Sequence, residues 1–384
     1  MIGSQQKDRV KVSILTSVHL PFDGRIFHKE AKTLARAGYE VVLIAPVSKE
    51  EVVDGVRILP LPKPRNRFER MTKVMWKLLR LAVKEDADVY HFHDPELMLV
   101  GLVLKLLGKR TIWDVHEHYP NSILDKYWIS KGLRHSISKL FDLFERIVVP
   151  FFDYVIYTTP VVGERYKKMN VQAERIENYP IVELSNTFEK NPQKNVIYLG
   201  GMSKIRGIIE LITAFGLVAK NHPEWKLCLV GKASPPSFEK EIKKSISKSN
   251  LCENIDLVPW VPYEEKERLS SQASIGVITY LPYSNNISCL PNKLFDYMLV
   301  GLPVVVSTFP LYKEIINKDK CGLTVDPSNP EEIAKAVTYL IEHPDEARKM
   351  GENGTRAVRE KYNWGNESKK LLGIYEEVLE NSRR

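Results

Sequence analysis

Short runs of β-branched and apolar residues alternate with helical-period segments along this chain, and the alternation runs twice. Val10–Leu15 is the first run. A loop with Pro21 and Gly24 follows, then Phe27, Ala31, Leu34 and Ala35 at helical spacing, with Gly38 as the stop. Val41–Ala45 is the next strand, so the unit is strand–helix–strand, which joins parallel strands. Val89–Phe92, a helix from Pro95 to Leu107, Thr111–Val115 and Tyr154–Tyr157 continue it. A second series starts with Asn195–Leu199 and runs through Lys226–Val230, Ile255–Val258, Ile275–Ile278, Val304–Ser307 and Leu323–Val325. Between the two, residues 179–194 carry Pro180 and Asn191-Pro192 without a core pattern and read as a linker. The expected architecture is α/β: two doubly wound, Rossmann-like domains, 1–178 and 195–365, facing across a cleft. A last helix within 366–384 packs back on the first domain. Ligands of such sheets sit off the carboxyl ends of the strands.

The 384 residues fit two domains at ~150 residues each. Charged residues make up 27% and hydrophobic ones 43%, which excludes a disordered or collagen-like chain. The net charge of +8 invites an anionic partner. Residues 1–180 hold 29 basic and 22 acidic side chains, +7 of that total. Four scattered cysteines, Cys228, Cys252, Cys289 and Cys321, form no CxxC and suit a reduced, cytoplasmic compartment. The first residues lack the apolar core of a signal peptide, and no apolar run reaches ~18 residues.

Chemistry is expected in the loops that follow strands. His19, Asp23 and Arg25 lie in the first; a binding loop and a plain turn cornered at Asp23-Gly24 are both open. His91-Phe-His93-Asp94-Pro95-Glu96 offers two imidazoles and acids, as a metal would need. No third ligand is evident, and Asp94 capping a helix opened by Pro95 explains the stretch without one. His116 and Glu117 end another strand, where an imidazole can bind a sugar hydroxyl or polarise a leaving group. The second histidine, His118, is too close for HExxH. Gly200-Gly201-Met-Ser-Lys204-Ile-Arg206-Gly207 links a strand to a helix and fits an anion through backbone approach, Lys204 and Arg206. It matches neither GxGxxG nor a P-loop. The stretch from Asn286 through Ser288 and Pro291-Asn292-Lys293 to Asp296 enters another helix. Its free N–H groups and Lys293 suit phosphate, and Asp296 suits two vicinal hydroxyls.

Lys63, Arg65, Arg67, Arg70, Lys73, Lys77 and Arg80 face only Glu69 across 63–80, with Phe68, Met71, Val74, Met75, Leu78 and Leu79 at helical spacing. This reads as a basic amphipathic helix for an anionic membrane surface, with Arg70, Lys73, Lys77 and Arg80 as its contacts. An ordinary solvated helix shares the pattern. No nucleic-acid recognition module is present, so nucleic acid is not expected.

Together these stretches resemble the family 4 retaining glycosyltransferases of the GT-B fold, in particular those building bacterial surface polysaccharide: capsule, O-antigen or exopolysaccharide. The residues that carry the resemblance are His19–Glu30, His93–Glu96, Asp114–Glu117, Gly200–Gly207, Pro291–Met298 and Gly301–Val305. It implies a nucleotide-diphosphate sugar bound by the C-terminal domain and an acceptor met by the N-terminal one. Transfer would retain configuration, with no metal or other cofactor. By position, Arg206 matches the phosphate-binding lysine and His116 the histidine at the reaction centre. Asp296 matches the ribose-holding glutamate of E-x7-E. Asp23, Gly24 and Arg25 match a loop over the donor phosphates, with His19 and Asp23 toward the acceptor. The resemblance thus implies Gly24, Arg25, Lys204, Arg206, Asn292 and Lys293 at the diphosphate, and Asp296, Ser288 and Glu117 at the ribose and sugar. Two positions depart: Ser288 replaces the first glutamate of the motif, and Gly201 stands where many members have a second arginine.

The implied acceptor is a polyprenyl-diphosphate-linked saccharide at the inner face of the cell membrane, with other assembly enzymes as potential partners. A sugar-nucleotide 2-epimerase of the same architecture and a donor-binding protein with a degenerate site are the rival readings.

Overall fold

A computed structural model describes residues 9–126, 129–182 and 193–380. The chain forms two compact units, Met1–Asn178 with Trp364–Arg384, and Tyr179–Asn363.

The first unit is built on strands β1 (Lys11–Leu15), β2 (Glu40–Pro46), β3 (Glu51–Val53), β4 (Val56–Leu61), β5 (Val89–Phe92), β6 (Arg110–Val115), β7 (Tyr154–Tyr157) and β8 (Ala173–Arg175). Their spatial order is β3-β4-β2-β1-β5-β6-β7-β8, and only β3 runs antiparallel to its neighbour. β5 and β7 are buried along their whole length, the signature of strands covered on both faces. β1 is the switch point. It pairs with β2 on one side (Val12↔Val41) and β5 on the other (Val12↔Val89), so the chain leaves its carboxyl end into a crevice.

The second unit repeats the plan with β9 (Asn195–Leu199), β10 (Lys226–Val230), β11 (Ile255–Val258), β12 (Ile275–Ile278), β13 (Val304–Ser307) and β14 (Gly322–Val325). The order is β11-β10-β9-β12-β13-β14, all parallel, with β9 as the switch point between β10 and β12. Gly207 (φ 67°) lets the turn after β9 pass the end of β12: a Cβ there would meet the Thr279 carbonyl oxygen at 1.9 Å.

The terminal helix, Trp364–Glu380, belongs to the first unit. Trp364 Nε1 donates to Thr33 Oγ1 at 2.9 Å, and the buried Tyr375 hydroxyl lies 2.9 Å from His91 Nδ1.

Several expectations are corrected. Tyr179, assigned to a linker, is a core residue of the second unit, edge-on to Phe295 at 4.6 Å; burying an aromatic ring there outweighs the turn signal of Pro180. Residues 183–192 of that linker lie outside the described residues. The helix expected from Phe27 opens as a π-helix, Ile26–Ala31, before the α-helix Lys32–Arg36. β3, β4, β8 and the helix Lys131–Val148 were not anticipated. Among the described residues, no helix is long and apolar enough to cross a membrane.

Candidate functional site

In the first unit the carboxyl ends of β1, β5 and β6 bring His19, Asp23, Arg25, His93, Asp94, Asp114 and His116 into one polar cluster. Asp94 ties two strand ends together: its Oδ2 accepts from Thr16 Oγ1 (2.9 Å), Ser17 N (2.5 Å) and Val18 N (3.3 Å). It does not cap its own helix, because the carboxylate is turned to the end of β1 instead. Asp23 Oδ1 accepts from the backbone of Arg25 (2.8 Å) and Ile26 (3.0 Å), which starts the helical segment; its Oδ2 lies 3.4 Å from His19 Nδ1. Gly24 is the exposed corner between them.

Arg25 is where the structure departs most from expectation. Its guanidinium is buried. It donates to Asp114 Oδ2 through Nε (3.0 Å) and Nη2 (2.7 Å) and to the Ile176 carbonyl through Nη1 (3.1 Å), and it lies 2.8 Å from Glu30 Oε1. Its donors are therefore committed to the interior, and Arg25 is withdrawn from the diphosphate-binding set. Around it stand His91, His93 and His116. His93 Nδ1 and His116 Nε2 are 3.1 Å apart, and His93 Nε2 is 3.3 Å from Glu30 Oε2.

Burial dominates the proton affinities here. It pushes His116 down to about 4, against the pull of Asp114 and with the help of Arg25 and His19. It holds His93 well below the ordinary imidazole value and Glu30 well above the ordinary carboxyl value. For Asp114 burial acts upward, but Arg25 together with His116, His91 and His93 outweighs it and keeps the carboxylate ionised. His19 goes the other way: burial opposes its charge, and Asp23 and Asp94 outweigh it and raise it.

Glu30, His91, His93 and Asp114 each place one ligand atom within 4.8 Å of the others, a donor set a metal could use. Arg25 already supplies the counter-charge of Asp114 and stands beside Glu30, so the set is served by a guanidinium rather than arranged around a vacant cation position. Glu117 is half-buried, accepts from Ser122 Oγ (2.9 Å) and lies 3.7 Å from Lys126 Nζ.

The second unit carries a different chemistry, basic and aromatic. After β9, the turn Lys204–Arg206 exposes Lys204 and lays Arg206 over the Tyr280 ring at 4.7 Å, its Nη1 donating to the Tyr280 hydroxyl. Lys293, in the first turn of helix Asn292–Leu299, is buried with Nζ 3.7 Å from the Tyr198 ring centre and 5.3 Å from that of Tyr280. Its Nζ has no hydrogen-bond acceptor. Burial first, then Arg206, holds Lys293 well below the ordinary lysine value, while Asp296 partly offsets this. A Cβ at Gly200 would stand 3.2 Å from that Nζ, so the glycine leaves the ammonium its space. Asn292 is exposed at the helix start, which no side chain caps; Asp296 follows one turn later, half-buried. The Ser288 hydroxyl donates back to the Ser284 carbonyl at 2.8 Å.

Two family descriptions match the chain in series: a glycosyl transferase 4-like domain over residues 24–180 and glycosyl transferases group 1 over residues 183–357. The chain is a family 4 GT-B glycosyltransferase. Its sequence is similar to an uncharacterized glycosyltransferase of Haemophilus influenzae, 23% identical over 88% of this chain and 91% of the relative. It is similar also to the GDP-mannose:cellobiosyl-diphosphopolyprenol alpha-mannosyltransferase of Xanthomonas oryzae pv. oryzae, 21% identical over 76% of this chain and 75% of the relative. The sucrose-phosphate synthase of Thermosynechococcus elongatus shares the fold with a TM-score of 0.77 at 19% identity, over 97% of this chain and all of that one.

In this glycosyltransferase, sequence reasoning missed the partners. Glu30 and Asp114 sit inside stretches that it singled out, yet neither was given a role; the signal was a carboxylate at a buried strand or helix position, which demands a cation. Tyr198 and Tyr280 carried no signal beyond their place in or just after strands. Arg70, expected at a lipid surface, is half-buried with Nε 2.8 Å from Glu96 Oε1, because Glu96 is also set in the interior and requires a counter-charge.

Proposed function

We propose that this glycosyltransferase moves a sugar from a nucleotide-diphosphate sugar to a polyprenyl-diphosphate-linked saccharide, with retention and without a metal. The reading rests on one observation above all: Lys293, buried, without an acceptor, and beside Arg206. Two cations that repel each other in a dry, aromatic-walled place need an anion, and a diphosphate supplies it together with the charge that the leaving group develops. Arg206, Lys293, Lys204 and the uncapped helix start at Asn292 take the diphosphate. Asp296 takes the ribose, and Ser288 with Glu117 attends the sugar. His116, neutral at physiological pH, serves at the reacting sugar, with His19 and Asp23 toward the acceptor. The mannosyltransferase from Xanthomonas carries a nucleotide sugar and a diphosphopolyprenol acceptor in its name, which supports both substrate classes here.

The membrane part of the proposal rests on the first unit. Lys73, Lys77 and Arg80 are exposed beside exposed Phe68, Met71 and Trp76, while Val74 and Leu78 face the core. Helix Lys131–Val148 shows solvent a second apolar stripe, Leu133, Ile137, Leu140 and Ile147. Apolar side chains set among lysines and arginines suit the anionic inner face of a cell membrane, where surface-polysaccharide repeats are built. Release of free nucleotide together with a lengthened lipid-linked saccharide, its new linkage of the donor's configuration, is the expected product pattern. A changed sugar nucleotide with no transfer would make the protein an epimerase, and donor binding without turnover a degenerate one.

A further inference from the structure

Three side chains in the first unit define a line. Glu30 Oε2 and His93 Nε2 are both fully buried, both without a hydrogen-bond partner, and 3.3 Å apart. On the other side of the His93 ring, Nδ1 lies 3.1 Å from His116 Nε2. Glu30 Oε1 lies 2.8 Å from Arg25 Nε, whose hydrogen goes to Asp114 Oδ2; beside that donor Oε1 is the wrong oxygen to carry a hydrogen of its own. Oε2 is thus the oxygen placed to carry a proton; His93 Nε2 lies 3.3 Å from it, and Asp114 is the other group within hydrogen-bond reach of the Glu30 carboxyl.

We propose that Glu30 is a positioning residue: its Oε2–H donates to His93 Nε2 and through it fixes the tautomer of His116. If Oε2–H donates to His93 Nε2, His93 holds its own hydrogen on Nδ1 and donates it to His116 Nε2. His116 then carries its hydrogen on Nδ1, the one ring nitrogen left for a ligand. It meets that ligand as a hydrogen-bond donor, not as a base. An ionised Glu30 would reverse every bond in the line and leave His116 Nδ1 a bare acceptor.

The surroundings favour the neutral acid. Asp23 and Arg25 stand on Glu30's own segment, His91 comes from β5 and His93 directly follows it, Asp114 comes from β6 and Tyr375 from the terminal helix. Of these, Arg25 alone is a fixed cation, and two of its bonds go to Asp114. One guanidinium between two buried carboxylates neutralises one of them; burial disfavours the second charge, and Glu30 lies well above the ordinary carboxyl value. Proton transfer is not part of the proposal: each hydrogen stays on its atom, and the line sets only direction.

The role of His116 at the reacting sugar is that of the proposed function; the line itself is independent of it, and the test separates the two. In the full chain labelled with ¹⁵N-histidine, two-bond ¹H–¹⁵N correlations distinguish Nδ1–H from Nε2–H rings. His93→Gln and His116→Gln variants assign the signals. Both rings are expected as Nδ1–H at pH 7. Glu30→Gln keeps that pattern, because its amide oxygen faces Arg25 and its NH₂ faces His93; Glu30→Leu loses it. Nε2–H on His116 in the unaltered protein, or the same pattern in Glu30→Leu, overturns the proposal, and the first of these readings needs no variant to fold. In turnover, Glu30→Leu should lose about 10²-fold in kcat and Glu30→Gln should restore most of it. The expected tautomers with full turnover in Glu30→Leu would uphold the line and remove His116 from the reaction.

Discussion

Arg25→Met separates the interior role of this arginine from the phosphate-binding role that its loop suggests. The substitution keeps much of the side chain's volume and removes its charge and donors. Asp114 loses the two bonds at 3.0 and 2.7 Å, and Glu30 loses its neighbour at 2.8 Å, all inside a buried cluster. Removing one partner of a buried ion pair costs about 3–5 kcal/mol, because the other charge stays behind in a poor solvent. For a unit of this size each kcal/mol lowers the transition by about 2–4 °C, so the first thermal transition should fall by roughly 6–20 °C. Differential scanning calorimetry without ligand measures this directly, and titration of the surviving fold with nucleoside diphosphate gives affinity on the same variant. The expected result is a large loss of stability with donor affinity little changed. An unchanged transition with affinity lost would refute the interior role and return Arg25 to the diphosphate.

Arg206→Ala should lower turnover by at least ~10²-fold through lost stabilisation of the leaving charge, read as kcat under saturating donor; near-normal kinetics would take it out of that site. Replacing Lys73, Lys77 and Arg80 together by Glu should release the protein from anionic liposomes in a sedimentation assay while circular dichroism stays unchanged, each basic residue contributing about 1 kcal/mol; retained binding contradicts the membrane reading. The pH dependence follows from His116, whose folded value near 4 lies below the ordinary 6.5. Between those values the unfolded chain binds the proton and the folded one does not. The contribution to stability is therefore full above about 6.5 and is lost as pH falls toward 4. Chemical denaturation across pH 4–7 should show that decline, and His116→Gln should flatten it; an unchanged slope in the variant would assign the decline elsewhere.

Strand periodicity carried most of the fold because a covered parallel sheet demands unbroken apolar runs: the expected and observed limits coincide for Val89–Phe92, Tyr154–Tyr157 and Ile275–Ile278. β4 escaped because Arg57 and Pro60 interrupt its run, and β3 because a three-residue strand at the sheet edge needs no full cover. Tyr179 escaped because one aromatic ring in a proline-bearing segment has no period to betray its burial. In the sites, loops were legible by position, since each follows the carboxyl end of a strand: Thr16–Arg25 after β1 and Gly200–Gly207 after β9. Side-chain direction was not. Arg25 turns inward because Glu30, five residues on, and Asp114, on β6, are already buried; a sequence shows those charges without showing that they meet. The Tyr198–Lys293–Tyr280–Arg206 grouping likewise joins residues nearly a hundred positions apart.

The central claim is that the second unit holds a nucleotide diphosphate and its sugars on Arg206 and Lys293 without a metal. Thermal stabilisation against a panel of nucleotides and nucleotide sugars, in the presence of a chelator, tests it most directly. A ligand at 100 times its dissociation constant should add about 2.7 kcal/mol to stability. One nucleoside diphosphate and its sugars should raise the melting temperature, and Lys293→Met should abolish the shift. No shift from any member of the panel, or the same shift in Lys293→Met, would contradict the account.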